Sequence, residues 1–481
     1  MAITDVAPLI FVYRLRELRW KLVKVITMLS REICQKARIA RDARFDGQFF
    51  TAVKTTGNFC RSICPAAAPN EKYVEYYFSE IQAARAGYRP CLRCRPDSAP
   101  GTVVRNGADI TLERAIRLIN ESALPKASLQ FLSERLGISD RHLRQLFIRH
   151  LGVPPKAYAL YQQCLFAKKL LHETALPLTS VAQASGFNSI RRFNYCFKTH
   201  LGLLPTQVRT SKKIQSNAIL LTLYYRPPYD WDSMQAFLAA RFIPGLEWID
   251  SQSYGRTFEW AGGVGYFTAR HIEGKNRFDV SINVDKLSAL KPVVSNIRRI
   301  LDLDTNMEAV EACLKRHYGT LIVIKPGMRL PGTWSMFEAG MRAILGQQVS
   351  VPVARKLVER LVGSLGRQYG DRQFFPRASA IAESDLSFLR IPSSRKQTLR
   401  NLAQLYVDLQ QPDEPKQWLT LKGVGPWTVD YARLRGGSDP DIYLGGDLGV
   451  KKAVEKSGAG FDPELASPWR SYLTFQLWNQ P

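Results

Sequence analysis

The sequence predicts a multidomain protein, mainly α with α+β parts, and three observations carry that prediction. At 481 residues the chain is too long for one core, and a prior of roughly 150 residues per domain gives three or four. A helix, glycine turn, helix pattern appears around Gly137 and again around Gly186, which marks an all-helical region. Residues 218–285 alternate in strand fashion, as from Ile219 to Tyr225 and from Arg277 to Val284, whereas from Met307 onward the apolar spacing is helical. A small α+β unit followed by a helical one explains that change of period.

Bulk composition narrows the partners. Hydrophobic residues make up 45% of the chain, an ordinary share for a globular protein. No apolar run reaches the roughly 20 residues that span a bilayer, and no signal peptide is recognisable, so a cytoplasmic protein with no membrane partner is expected. Lys and Arg number 67 against 42 Asp and Glu, a net charge of +25. A polyanion is the expected partner, although charge alone does not separate DNA from RNA or an anionic membrane.

Residues 1–37 form an N-terminal extension. Leu15, Leu18, Leu22, Ile26, Leu29 and Ile33 recur at three- and four-residue intervals between Arg and Lys, the pattern of a basic amphipathic helix. Such a helix packs on the protein or lies on a membrane surface, and Met28 is an alternative start. No function is assigned to this segment.

Residues 38–100 carry the clearest chemical signal. Cys60 and Cys64 are spaced Cys-x3-Cys, and Cys91 and Cys94 follow as Cys-x2-Cys after 26 intervening residues. In a reducing compartment two such pairs favour metal over disulfide, and four thiolates suit one tetrahedral Zn2+. Four thiolates on Zn2+ leave a double negative charge, which makes a sulfur nucleophilic unless N–H donors or arginines neutralise it. Arg61, Arg93 and Arg95 are the adjacent arginines. The run Arg41 to Val53, the Gly57 to Pro65 segment and the Gly87 to Asp97 segment together resemble the N-terminal domain of the Ada methylphosphotriester methyltransferase. The resemblance implies that Cys60 is both zinc ligand and irreversible methyl acceptor, with Cys64, Cys91 and Cys94 as ligands; a purely structural zinc knob is the alternative. Methylation of Cys60 would remove one negative charge from the cluster and so raise its affinity for DNA.

Residues 101–210 read as two helix-turn-helix units. Leu129, Leu132 and Leu136 form an apolar stripe, Gly137 turns the chain, and Ser139 caps a helix with Leu143, Leu146 and Phe147 inward and Arg141, His142, Arg144 and Gln145 outward. In the second unit Val181 and Ala184 precede Gly186, and a helix from near Asn188 places Phe193 and Phe197 inward and Arg191, Arg192, Asn194 and Tyr195 outward. Arginines on both second helices suit insertion at successive major-groove turns, while a generic helical bundle would share the apolar pattern. The segment from Gly186 to Pro205 resembles the AraC/XylS family of transcription regulators. Joined to an Ada-type domain, that implies an activator of repair genes, with promoter DNA and RNA polymerase as partners and a bacterial, nucleoid-associated location. Residues 211–217 read as a linker.

Residues 218–305 form the predicted α+β domain and 306–481 the helical one. In the latter, Gly423, Val424 and Gly425 make a tight turn before a helix starting at Pro426, and Asp447 follows. Backbone N–H groups of such a turn would hold a DNA phosphate at the positive end of the helix, but the same turn joins ordinary helices. The segments Arg226 to Trp231, Ala343 to Val351 and Pro468 to Tyr472, with Trp478, resemble the AlkA-type DNA-3-methyladenine glycosylase II of the helix-hairpin-helix superfamily. The resemblance implies an all-α glycosylase domain that grips damaged double-stranded DNA through the hairpin. It would flip an alkylated purine into an aromatic pocket at Trp427, Tyr431, Trp478 and Phe237, and use Asp447 to support N-glycosidic cleavage. Each of these aromatics is, by itself, more often a core residue.

Trp427 stands where strand-cutting members of that superfamily carry lysine, so a monofunctional enzyme is expected. Gln348 stands where the AlkA type inserts leucine into the base stack, a poorer apolar wedge. Gly446 replaces a second acid and Leu448 an aromatic, which bears on substrate range. The competing reading is a transcription regulator whose glycosylase-like half is a non-catalytic DNA clamp. No second methyl-acceptor domain of the Ada type follows, so guanine O6 repair is not expected.

Overall fold

The computed structural model describes residues 29–96, 99–100, 110–121, 129–209, 218–409, 413–458 and 460–480. The amphipathic pattern up to residue 28, Met28 itself and the linker 211–217 lie outside the described residues.

The zinc module is a four-stranded sheet in the order β3-β1-β2-β4, with β1 Phe50–Val53, β2 Asn58–Arg61, β3 Val74–Tyr77 and β4 Arg89–Pro90. β1 pairs antiparallel with β2 and β3, and β4 runs parallel to β2. Phe50, Ala52, Phe59 and Ala83 form its core. The helix Arg31–Ile39, capped by the Ser30 hydroxyl, buries Cys34 and Ala37 against Phe49. The expected boundary at residue 38 therefore falls inside a helix that belongs to this module.

Both helix-turn-helix units form as the glycine turns predict. Leu129–Leu136 leads through Gly137 (φ +66°) to Asp140–Leu151, whose first turn is capped by Ser139; Leu178–Ala184 leads through Gly186 (φ +83°) to Ile190–Leu201, capped by Ser189. Leu143, Phe147, Phe193 and Phe197 are fully buried, because they share the face three and four residues apart that meets the long helix Pro155–Glu173. Arg141, Arg144, Arg191 and Arg192 are all exposed.

The following sheet has the order β5-β9-β8-β7-β6, all antiparallel: β5 Ile219–Tyr224, β6 Glu247–Ile249, β7 Ser253–Trp260, β8 Gly263–Ile272 and β9 Arg277–Val284. Its inward residues Leu221, Phe267, Val280 and Ile282 share one continuous core with the helix-turn-helix units and with the helix Leu290–Ile300. Two further cores lie in the helical part, one around Leu361, Leu402 and Trp418 and the other around Leu314, Val450 and Leu473. The cleft between these layers holds the site described next. Among the described residues no helix is long and apolar enough to cross a membrane.

Candidate functional site

Phe237, Trp427, Tyr431 and Trp478 line one cavity of about 350 Å³, and Asp447 lies in the same wall. Three elements converge there. Phe237 comes from the helix Trp231–Ala239, Trp427 and Tyr431 from successive turns of the helix Pro426–Gly437, and Trp478 from the end of the helix Arg470–Trp478. Trp427 stacks on Tyr431 with centroids 5.3 Å apart, and Phe237 lies nearly parallel to Trp478 at 6.3 Å. All four are only partly buried.

Asp447 is fixed by two constraints. It is the N-cap of the helix Leu448–Ser457, where its Oδ1 accepts from the Gly449 and Val450 amides at 2.9 and 3.3 Å. The same Oδ1 accepts from the Trp478 indole Nε1 at 2.9 Å. All of these donors use one oxygen, which leaves Oδ2 for whatever charge or water occupies the cavity. Leu448, two-thirds exposed, follows at the rim, and beside Gly446 a Cβ would have only ordinary contact with Trp427 at 3.9 Å.

The cavity also contains cations that the motif reading did not single out. Arg241 lies over the Phe237 ring at 3.7 Å and Arg435 over the same ring at 4.5 Å. Arg435 donates to the Tyr431 hydroxyl at 3.1 Å and to the Pro331 carbonyl at 2.6 Å. Burial, reinforced by Arg435 and Arg342, lowers Arg241 to about 10, so it stays charged at neutral pH. Both arginines stand four residues after an aromatic of the pocket, and that i, i+4 relation was the sequence signal available for them. Beneath the cavity, Glu338 is paired with Arg256 at 2.8 Å and with Arg342 at 2.8 Å, and Arg342 also reaches Glu247 at 2.9 Å.

The hairpin lies beside this pocket. Gly423 has φ +88°, and a Cβ there would meet Thr398 Oγ1 at 2.2 Å. Gln347 Nε2 donates to the Gly423 carbonyl and to Thr428 Oγ1, both at 3.1 Å. Val424 departs from its expected role: its N–H donates to the Leu421 carbonyl at 3.1 Å and its side chain is buried. Among the described residues the amides of Gly423 and Gly425 make no such backbone bond. Gln348 is exposed and holds a left-handed φ of +58°.

In the zinc module the sulfurs of Cys60, Cys64, Cys91 and Cys94 lie within 4.8 Å of one another. A tetrahedron with Zn–S of about 2.3 Å has edges of roughly 3.8 Å, so the quartet closes on one ion with little movement. Cys60 is on β2 opposite Thr51, and Cys91 is tied by its amide to the Phe59 carbonyl at 2.9 Å. The Arg61 amide donates to Cys94 Sγ at 3.4 Å.

Comparison with known proteins follows these parts along the chain. Residues 33–97 match the family model of the metal binding domain of Ada, 132–211 a helix-turn-helix domain, and 220–335 the AlkA N-terminal domain. The probable bifunctional transcriptional activator/DNA repair enzyme AlkA of Mycobacterium tuberculosis is 33% identical, covering 93% of this chain and 96% of its own. DNA-3-methyladenine glycosylase 2 of Escherichia coli is 33% identical over 54% of this chain and 96% of its own. The bifunctional transcriptional activator/DNA repair enzyme Ada of Escherichia coli is 33% identical over 32% of this chain and 41% of its own.

Proposed function

The chain belongs to the family of bifunctional transcriptional activator/DNA repair enzymes, with an Ada-type regulatory half fused to an AlkA-type glycosylase half. From that premise we propose that the C-terminal pocket excises alkylated purines of the 3-methyladenine type from double-stranded DNA by hydrolysis of the N-glycosidic bond. The observation that carries this is the position of Asp447, a carboxylate with one oxygen engaged and one open, in the wall of a cavity faced by four aromatics.

The chain's own residues divide the work. The Gly423 and Gly425 amides, at the positive end of the helix Pro426–Gly437, hold a phosphate of the damaged strand. Gln348, projecting from its left-handed turn, fills the space left by the extruded nucleotide. The base stacks among Trp427, Tyr431, Trp478 and Phe237. As the C–N bond breaks, positive charge develops on the sugar and the open Oδ2 of Asp447 stabilises it or orients the attacking water. Trp427 offers no amine for Schiff-base chemistry, so the product is an abasic site in an uncut strand.

In the regulatory half Cys60 is the acceptor of a methyl group from a methylphosphotriester. Zinc, when bound, keeps the four sulfurs as thiolates at neutral pH. Cys60 Sγ attacks the methyl carbon, the C–S bond forms as the C–O bond breaks, and the phosphodiester leaves with the bonding electron pair. Cys64, Cys91 and Cys94 remain as ligands. The quartet loses one negative charge, which strengthens its hold on the DNA polyanion and brings Arg141, Arg144, Arg191 and Arg192 to a promoter, with RNA polymerase the partner that reads the outcome. A cytoplasmic, nucleoid-associated location accompanies this role. Incubation with methylated duplex DNA tests both halves at once: free alkylpurine and an uncut abasic strand are expected, together with one methyl group on Cys60. A chain that binds such DNA and yields neither is a regulator with a non-catalytic clamp.

A further inference from the structure

The two arginines that directly follow zinc-site cysteines, Arg61 after Cys60 and Arg95 after Cys94, both lead to β5, the first strand of the glycosylase half. Arg61 is 3% exposed and its guanidinium is paired with the equally buried Asp46. It also donates to the Cys94 carbonyl at 3.2 Å and lies over the Tyr224 ring, 4.7 Å from the centroid. Arg95 pairs with Glu173, whose other oxygen accepts from the Thr222 amide at 2.9 Å. Arg226, two residues beyond Tyr224, donates to the Asp46 carbonyl at 3.2 Å. The fit there is close, since a Cβ on Gly47 would lie 2.1 Å from the Pro100 carbonyl oxygen and 3.3 Å from Arg226 Nη1.

This arrangement bears on sulfur chemistry. A guanidinium beside a thiolate quartet draws its negative charge and lowers its nucleophilicity. Here the Arg61 guanidinium directs its hydrogen bonds to Asp46 and the Cys94 carbonyl and its face to Tyr224, and no hydrogen bond to a sulfur. Two of the groups that fix it, Tyr224 directly and Arg226 through Asp46, come from the glycosylase half.

We propose that Tyr224 and Asp46 are positioning residues for the methyl acceptor: they hold Arg61 off the thiolates, so that the glycosylase half sets the nucleophilicity of Cys60. The inference rests on the reading of Cys60 as acceptor. The bond made is Cys60 C–S, and the bond broken is the donor's bond to methyl, the donor leaving with the electron pair. Without the Tyr224 ring Arg61 is freer to swing onto a sulfur, and alkylation slows.

The test uses the full zinc-loaded chain, comparing wild type, Tyr224→Phe and Tyr224→Leu for the rate at which Cys60 gains a methyl group by mass spectrometry. Two donors are used, methylphosphotriester DNA and methyl iodide; the second reads sulfur nucleophilicity without DNA docking. Expected are wild-type rates for Tyr224→Phe and a loss of about threefold to tenfold for Tyr224→Leu with both donors, the range set by one lost cation–π contact. One zinc per chain and unchanged base release are expected in all three proteins. A wild-type rate for Tyr224→Leu with methyl iodide overturns the proposal, and so does loss of zinc from that variant, which would make the contact merely structural. Methylation of wild type by methyl iodide but not by DNA overturns the acceptor reading instead, leaving the Tyr224 comparison intact.

Discussion

The indole Nε1 of Trp478 donates to Asp447 Oδ1 at 2.9 Å, so an aromatic wall of the cavity also orients its carboxylate. Trp478→Phe keeps a ring beside Phe237 and removes the donor. A hydrogen bond to a charged group is worth about 1.5–3 kcal/mol. Single-turnover base release is therefore expected to fall on the order of tenfold or more, with affinity for damaged DNA nearly unchanged. Release at the wild-type rate would mean that the N-cap bonds alone hold Asp447.

Gly423 and Gly425 differ in what they tolerate. A Cβ at Gly423 meets Thr398 Oγ1 at 2.2 Å in a backbone with φ +88°, while at Gly425 it meets open space. Gly423→Ala is expected to destabilise the hairpin by roughly 1–3 kcal/mol and to weaken binding to undamaged duplex. Gly425→Ala is expected to keep the melting temperature. Calorimetry and salt-controlled titrations measure both, and equal behaviour of the two variants would contradict the assigned geometry.

Glu338, on the helix Met336–Gly346, ties that helix to Arg256 of β7 under the pocket. Burial pushes its carboxyl upward, but Arg256 and Arg342 outweigh that and hold it below the ordinary 4.5. A depressed folded value means that this contribution is fully present above about pH 4.5. It is lost as pH falls through the lower folded value. Glu338→Gln leaves buried guanidiniums less compensated and is expected to cost about 3–5 kcal/mol at pH 7. In denaturant titrations the gap from wild type should narrow below pH 4.5; a gap independent of pH would refute the assignment.

Cys60→Ala is expected to abolish methyl uptake while leaving base release close to wild type, because the quartet and the cavity draw on different elements. Specific promoter binding, expected to strengthen after wild type meets methylated DNA, should show no such gain in the variant. A chelator should likewise stop methyl uptake and spare base release. Loss of both activities would mean that the halves are interdependent beyond the contact at β5.

Local chemistry made much of this molecule legible. The cysteine spacing announced the quartet, and Gly137 and Gly186 announced the turns, because ligand geometry and left-handed backbone act over a few residues. Trp427, Tyr431, Trp478, Phe237 and Asp447 emerged through family resemblance, and their convergence depends on four helices whose packing no local pattern reports. Val424 is flanked by glycines, and no local pattern reports that its amide turns back to the Leu421 carbonyl. The contact of Arg61 with Tyr224 joins residues in different domains, and neither one carries a local signal for it.

The central claim is that Asp447 drives base removal. Asn at position 447 can still cap the helix Leu448–Ser457, so stability should change by only a few tenths of a kcal/mol. The decisive measurement is alkylpurine release from methylated duplex DNA by wild type and by Asp447→Asn under single-turnover conditions. Release by wild type and a loss on the order of a hundredfold or more in the variant are expected; equal release by both, or none from either, would contradict the account.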